Sequence, residues 1–226
     1  MTLQLPDAPK TLADPQERAL RSTMLNEAHV TDLAEFVRQM RASKGPGYEV
    51  PDFDPLDGGI HAKILFLLEA PGAKAISSGF ISRNNPDETA KNFFLLNAQA
   101  GIDRSLTATW NAVPWYIGSG TKIRPATRGD VGEADRWLTQ LLTLLKQVEI
   151  VVFVGKKALH AQHVVVLSRP DVAIASMPHP SPMFVNRSPD NRNEILKVLR
   201  EVSASLAATL ASGSANHQSQ RTRQAK

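Results

Sequence analysis

The sequence predicts an α/β protein, a three-layer α/β/α sandwich around a central four-stranded, mainly parallel sheet. Three observations carry that prediction. Four short apolar runs rich in β-branched residues, 63–69, 107–113, 149–155 and 172–176, mostly lack alternation, as suits strands buried on both faces. Stretches of helical spacing lie between them, giving the alternation of parallel βαβ units. The 226 residues are enough chain to bury a large core, roughly 70% of the unfolded surface at this size.

The elements follow in order. Two helical patterns open the chain, over 14–26 and 31–42. In the second, Thr31 is the expected N-cap, and Leu33, Phe36, Val37 and Met40 recur at helical spacing. The pair is expected to form a lid packing on the core. Over 43–61 the composition turns to Gly, Pro and Asp, an irregular segment. Helices are expected at 88–100, at 131–147 behind an Asp130 and Glu133 pair resembling a capping box, and at 156–167. A last helix over 190–210 closes the domain, and the polar segment from Ala211 is expected to be a disordered basic tail. The expected division is N-terminal helices and loop over 1–62, an α/β domain over 63–210 and a tail over 211–226. There is no internal repeat.

Composition narrows the function classes. The sequence contains no Cys, which removes disulfides, thiol nucleophiles and cysteine-ligated clusters. Lys and Arg exceed Asp and Glu by four, but Arg221, Arg223 and Lys226 supply three of those charges, so net charge points only weakly to nucleic acid. The longest apolar runs, 64–68 and 150–154, fall far short of the ~20 residues of a spanning helix. The N-terminus has no basic segment followed by an apolar one. A cytoplasmic, bacterial-type protein acting at the nucleoid, without membrane association, is expected. His61, His160 and His163 have no metal-ligand spacing, so neither a metal nor a cofactor is expected.

Open parallel sheets bind ligands at the carboxyl ends of their strands. The residues following the four strands are Glu69-Ala70-Pro71-Gly72, Asn111 to Trp115, Gly155-Lys156, and Met177 to Met183. A carboxylate, an amide and an imidazole (His179) thus meet along one edge. Each has an ordinary structural explanation too. Glu69 would serve as a helix cap or surface partner, His179 as a rigid turn residue between prolines, and Asn111 as a bulge amide.

EAPG at 69–72, HPSP at 179–182 and Asn111 between them, at successive strand ends, resemble the uracil-DNA glycosylase superfamily over about 63–199. The branch implied is one without an iron–sulfur cluster. The resemblance implies base flipping and hydrolysis of an N-glycosidic bond in uracil-containing DNA, single- or double-stranded, by a monomer in base excision repair. It implies that Glu69 positions water and stabilises charge at the sugar, and that His179 donates to the base carbonyl. It further implies that Asn111 reads the pyrimidine edge and that Phe80 stacks on the base beside Ala70 and Gly72. Ser181 would contact a phosphate and Met183 fill the vacated stack, with Phe184 the alternative wedge and Phe93 and Phe94 the alternative platforms. Lys74, Arg83, Lys122, Arg124 and Lys156 sit on loops expected at the same edge, with Lys156 and Arg124 taken as DNA contacts.

The chemistry agrees with these types. Cleaving the glycosidic bond develops a cationic sugar and an anionic base, which calls for a negative group near C1′ and a donor at the base oxygen. An amide matches the donor and acceptor pair of uracil and mismatches that of cytosine. The sequence also departs from the family pattern. Leu68 precedes the acid where Gly is usual. Gly72 occupies the position at which one branch blocks 5-substituents with Tyr. The basic loop after the Asn strand carries Arg124 and no His, against covalent trapping of DNA. A catalytically weak module of the same fold, which binds uracil-DNA and hydrolyses it slowly or not at all, is the alternative function. An esterase lacks its G-x-S-x-G elbow.

Overall fold

The computed structural model describes residues 7–119 and 122–224, with side chains up to Thr209. Its centre is a sheet of four strands, β1 (Ile64–Leu68), β2 (Thr107–Asn111), β3 (Ile150–Val154) and β4 (Ala173–Met177). Their order is β2-β1-β3-β4 and every pairing is parallel. The register places Leu68 opposite Asn111 and Val154 opposite Met177, so the strands end level at one edge. The chain leaves β1 toward β2 on one side and β3 lies on the other, which puts a topological switch point at the end of β1.

Alternate strand residues face opposite layers. Leu65, Leu67, Trp110, Val151 and Phe153 pack under α2 (Thr31–Lys44), α5 (Arg128–Leu144) and α6 (Gln162–Ser168). Ile64, Phe66, Ile150, Val152 and Val154 pack under α4 (Glu88–Gln99), α7 (Pro182–Val185) and α8 (Pro189–Gln224). Each buried Leu, Ile or Phe side chain contributes about 1.5–3 kcal/mol to holding the layers together. The helix pattern 31–42 therefore belongs to a core layer, not a lid. Phe36 of α2 meets Trp110 and Trp137 at ring distances of 6.2 and 6.0 Å. Ahead of it, α1 (Pro15–Met24) starts on the side chain of Asp14, which accepts from the Gln16 N–H at 2.8 Å.

Several boundaries differ from the sequence expectation. Thr31 is the first helical residue of α2, and Val30 occupies the cap without a side-chain bond. The capping box of α5 lies one turn earlier than Asp130 with Glu133: Thr127 is the cap and Asp130 its third-position acid, with Thr127 and Asp130 bonding each other reciprocally. A short helix, α3 (Ala73–Ser78), was hidden because it follows the Pro and Gly of EAPG directly. Strand β4 is buried only at Met177, while Ala173, Ile174 and Ser176 are exposed, because it is the sheet's edge. The backbone of α8 continues through the expected tail to Gln224, and the side chains from 210 onward lie outside the described residues.

The opposite edge is closed. The carbonyl of Thr107 on β2 accepts from the Gly58 N–H at 2.7 Å, and a buried ionic network ties the N-terminal helices to the sheet there. Asp54 accepts from Arg21 at 2.5 Å, from Arg104 at 2.6 Å and from Ser82. Arg104 reaches Asp57 at 2.8 Å and Asn84 at 2.6 Å. Burial pushes the Asp54 carboxyl up, but the guanidinium groups of Arg104 and Arg21 outweigh it and hold it below the ordinary carboxylate range.

Candidate active site

Glu69, Asn111 and His179 converge at the level strand ends. After β1 the backbone of EAPG stays paired with the segment after β2: Ala112 N–H donates to Leu68 O at 2.7 Å and Val113 N–H to Glu69 O at 2.9 Å. This extra pairing fixes Glu69 beside Asn111. The Glu69 carboxylate accepts from the Ala126 N–H at 2.6 Å, immediately before the capped start of α5. Asn111 is buried at 3% exposure, and its Nδ2 has no hydrogen-bond partner among the described residues. Leaving such a donor unmade costs about 1–3 kcal/mol, so this amide is set for an acceptor that the protein does not supply.

His179 is brought in from the far strand by a glycine. Gly155, directly after β3, has φ of +84°, and its N–H donates to Met177 O at 2.8 Å. A Cβ there would lie 3.2 Å from His179 Cβ, tighter than ordinary contact and on a left-handed backbone, so a side chain at position 155 would press on the imidazole loop. Burial lowers the imidazole's proton affinity below the ordinary histidine value, against the opposing charges of Glu69 and Asp87. The ring is therefore neutral at pH 7, able to donate through one nitrogen.

The remaining expected residues divide. Ala70 is half-buried against the core, and Gly72 caps α3 with open space where a side chain would stand. Phe80 is 2% exposed, on a two-residue strand paired with 52–53, and belongs to neither apolar cluster. Phe93, in contrast, is core, edge-on to Phe66 at 5.0 Å. Ser181 stands at the cap of α7 with its hydroxyl making no capping bond. Met183 is 84% exposed, while Phe184 packs on the core. Lys156 is exposed next to Gly155. Arg124 is half-exposed and already engaged, both guanidinium nitrogens reaching Asp130 at 2.6 and 2.8 Å. Arg83 is a correction. It is buried at 3% and donates to Thr107 Oγ1 at 2.6 Å, so it supports the β2 edge and faces no phosphate.

Two residues went unnoticed in the sequence. Asp87, the N-cap of α4, adds its charge at His179, and Asn92 on the same helix donates to Pro180 O at 3.1 Å. A cap signal before the helix marks Asp87; nothing local marks Asn92. No group of His, Asp or Glu among the described residues is arranged to hold a metal ion, and none of their helices is long and apolar enough to cross a membrane. Two open clefts lie elsewhere, one lined by Lys63, Glu149 and Arg169 and one by Arg128, Asp135 and His163. Part of their charge is already paired, Lys63 with Glu149 at 2.9 Å and His163 with Asp135 at 3.0 Å. Chemistry therefore favours the strand ends.

A parallel α/β sandwich with an acid, an orphan amide and a neutral imidazole at one sheet edge defines the class. The family model of the uracil DNA glycosylase superfamily matches residues 55–203, well over half of the chain, and the protein belongs to that superfamily. No curated protein matches it. Among solved structures, a solution NMR structure from Methanosarcina acetivorans, provisionally named a uracil DNA glycosylase, is similar at 16% identity, covering 64% of this chain and 92% of that one with a TM-score of 0.46.

Proposed function

We propose that the protein is a monofunctional DNA glycosylase that extrudes uracil, or a related deaminated base, and hydrolyses its N-glycosidic bond to leave an abasic site. The observation that carries this reading is the buried, unpartnered amide of Asn111 beside Glu69. An amide donor with no protein acceptor is relieved by a base carbonyl such as O4, while its oxygen takes the N3–H.

Each role follows from the charge that develops. As the glycosidic bond lengthens, positive charge grows on the sugar and negative charge on the base. Glu69, held by the Ala126 N–H, faces the sugar as carboxylate, stabilising the cation and directing water. His179 donates to the base oxygen as a neutral imidazole, so it needs no charged form to work. Phe80 supplies an aromatic face for the extruded base, with Ala70 and Gly72 of the turn after β1 as the further base contacts. Exposed Met183 is the wedge for the vacated stack. Ser181, Lys156 and Arg124 contact phosphates, Arg124 by exchanging Asp130 for the backbone.

The test is excision from oligonucleotides carrying one uracil, hypoxanthine, xanthine or thymine, single- and double-stranded, read by alkaline cleavage. Cleavage at one base, reduced about a hundredfold or more in Glu69→Ala, is expected. A folded protein that cleaves none of them while retaining uracil-DNA on a native gel would replace this reading with the non-cleaving binding module.

A further inference from the structure

The loop that carries His179 cannot hold its own shape by backbone bonding. Pro178, Pro180 and Pro182 have no N–H, which leaves His179 and Ser181 as the only backbone donors over five residues. The loop is tied at its start by Gly155 N–H to Met177 O, and at its end by Phe184 and Val185 N–H to Ser181 O at 3.0 and 2.9 Å. Between those ties, at the residue adjoining the histidine, one side chain intervenes. Asn92, buried on α4, donates its Nδ2 to Pro180 O at 3.1 Å across 88 positions of sequence.

The proline rings fix φ near −65°, so the loop retains few soft torsions. Holding the Pro180 carbonyl fixes ψ at Pro180 and with it the peptide plane between Pro180 and Ser181, one residue beyond the imidazole. We propose that Asn92 is a positioning residue for His179, acting through the Pro180 carbonyl, with α4 serving as the strut that aims the imidazole. The proposal rests on the glycosylase reading and goes beyond it by naming what aims the donor. Asp87, from the first turn of the same strut, and Glu69, from the end of β1, are the charged groups that act on the imidazole. Asn97, one turn and a half further along α4, is the internal contrast. It is buried still more deeply, but the bond its Nδ2 makes, to Phe93 O at 2.8 Å, stays within its own helix.

The test has two readouts on the full chain. In the first, the imidazole resonances are titrated by long-range proton–nitrogen NMR without DNA, with the His179 signal identified by its loss in His179→Gln. Asn92→Leu keeps the bulk and removes the donor. The expected result is a His179 midpoint moved up toward the ordinary histidine value as the loop opens to water, with the other histidines unmoved. Asn97→Leu should leave His179 unmoved. In the second, steady-state excision of the preferred base should lose roughly tenfold to a hundredfold in kcat, with KM within about threefold. Asn92→Ala repeats both measurements should the leucine variant fail to fold. An unmoved His179 midpoint in a folded Asn92 variant, or an equal effect from Asn97→Leu, overturns the proposal. Absence of excision in the unmodified protein removes the glycosylase reading instead, and the titration still decides for or against Asn92.

Discussion

Two polar clusters are buried in this molecule and are built to opposite rules. Along the β2 edge, Asp54 is surrounded by donors, accepting from Arg21, Arg104, Ser82 and the Leu56 N–H. At the strand ends, Asn111 Nδ2 is buried with no partner among the described residues, and the carboxylate of Glu69 leans on a backbone N–H. The first arrangement spends its polar groups on each other, with only Arg21 Nε left over among those of Arg21, and fastens the N-terminal helices to the sheet. The second withholds them. An unpartnered polar group marks a site only where other chemistry gathers beside it, as at Asn111 next to Glu69: Asn97 Oδ1 and Trp137 Nε1 are also buried without partners and lie in the packed helix layers.

The comparison breaks most visibly at Asp54. Asp54→Ala strands two buried guanidinium groups, and a loss of about 3–5 kcal/mol is expected in guanidinium chloride unfolding; a loss below 1 kcal/mol would deny the network its structural role. Gly155→Ala comes next. The left-handed backbone and the nearby His179 Cβ predict a cost of about 1–2 kcal/mol, with excision falling by more than the fraction of protein unfolded. A pH effect follows from His179. Its folded proton affinity is depressed by burial, so between the ordinary histidine value and the folded one the unfolded chain binds a proton that the native chain does not. The stability held by this group is complete above about pH 6.5 and shrinks as pH falls through the folded value. His179→Gln should flatten that limb of the stability curve measured by urea unfolding. The smallest effect sharpens the contrast most. Asn111→Leu should leave the unfolding midpoint unchanged or raise it, since it removes an unsatisfied donor, while abolishing the preference for uracil over cytosine in competitive excision.

Much of this was legible in sequence because it depends on short-range pattern. The four strands announce themselves by apolar runs bounded by Gly, Pro and polar residues, and three of the four ends carry chemistry that a parallel sheet must gather at one edge. Glu69, Asn111 and His179 lie where that argument puts them. Arg83 shows where it stops: its loop lies near the site in sequence, yet its partner Thr107 is 24 positions away, and its burial depends on packing no local pattern records. The Asp54 network is equally silent, joining Arg21, Ser82 and Arg104 over separations of 28 to 50 residues. Asn92 was invisible for the same reason. The cap of α5 was misplaced by one turn because two acids, Asp130 and Glu133, offered the same signal and the Thr that settles it lies earlier.

The sheet has one sealed side and one bare one. The rim of β2 is overlaid by the Gly58 turn and the ionic network, whereas no described segment pairs along the outer rim of β4, where Ile174 is 38% exposed. Bare strands recruit other strands, and Leu167 on the helix leading into β4 adds an 81% exposed apolar side chain. That flank is therefore where copies of the chain are expected to meet in concentrated solution, far in sequence from the acid and the amide, and Ile174→Lys should slow association as read by light scattering without touching either.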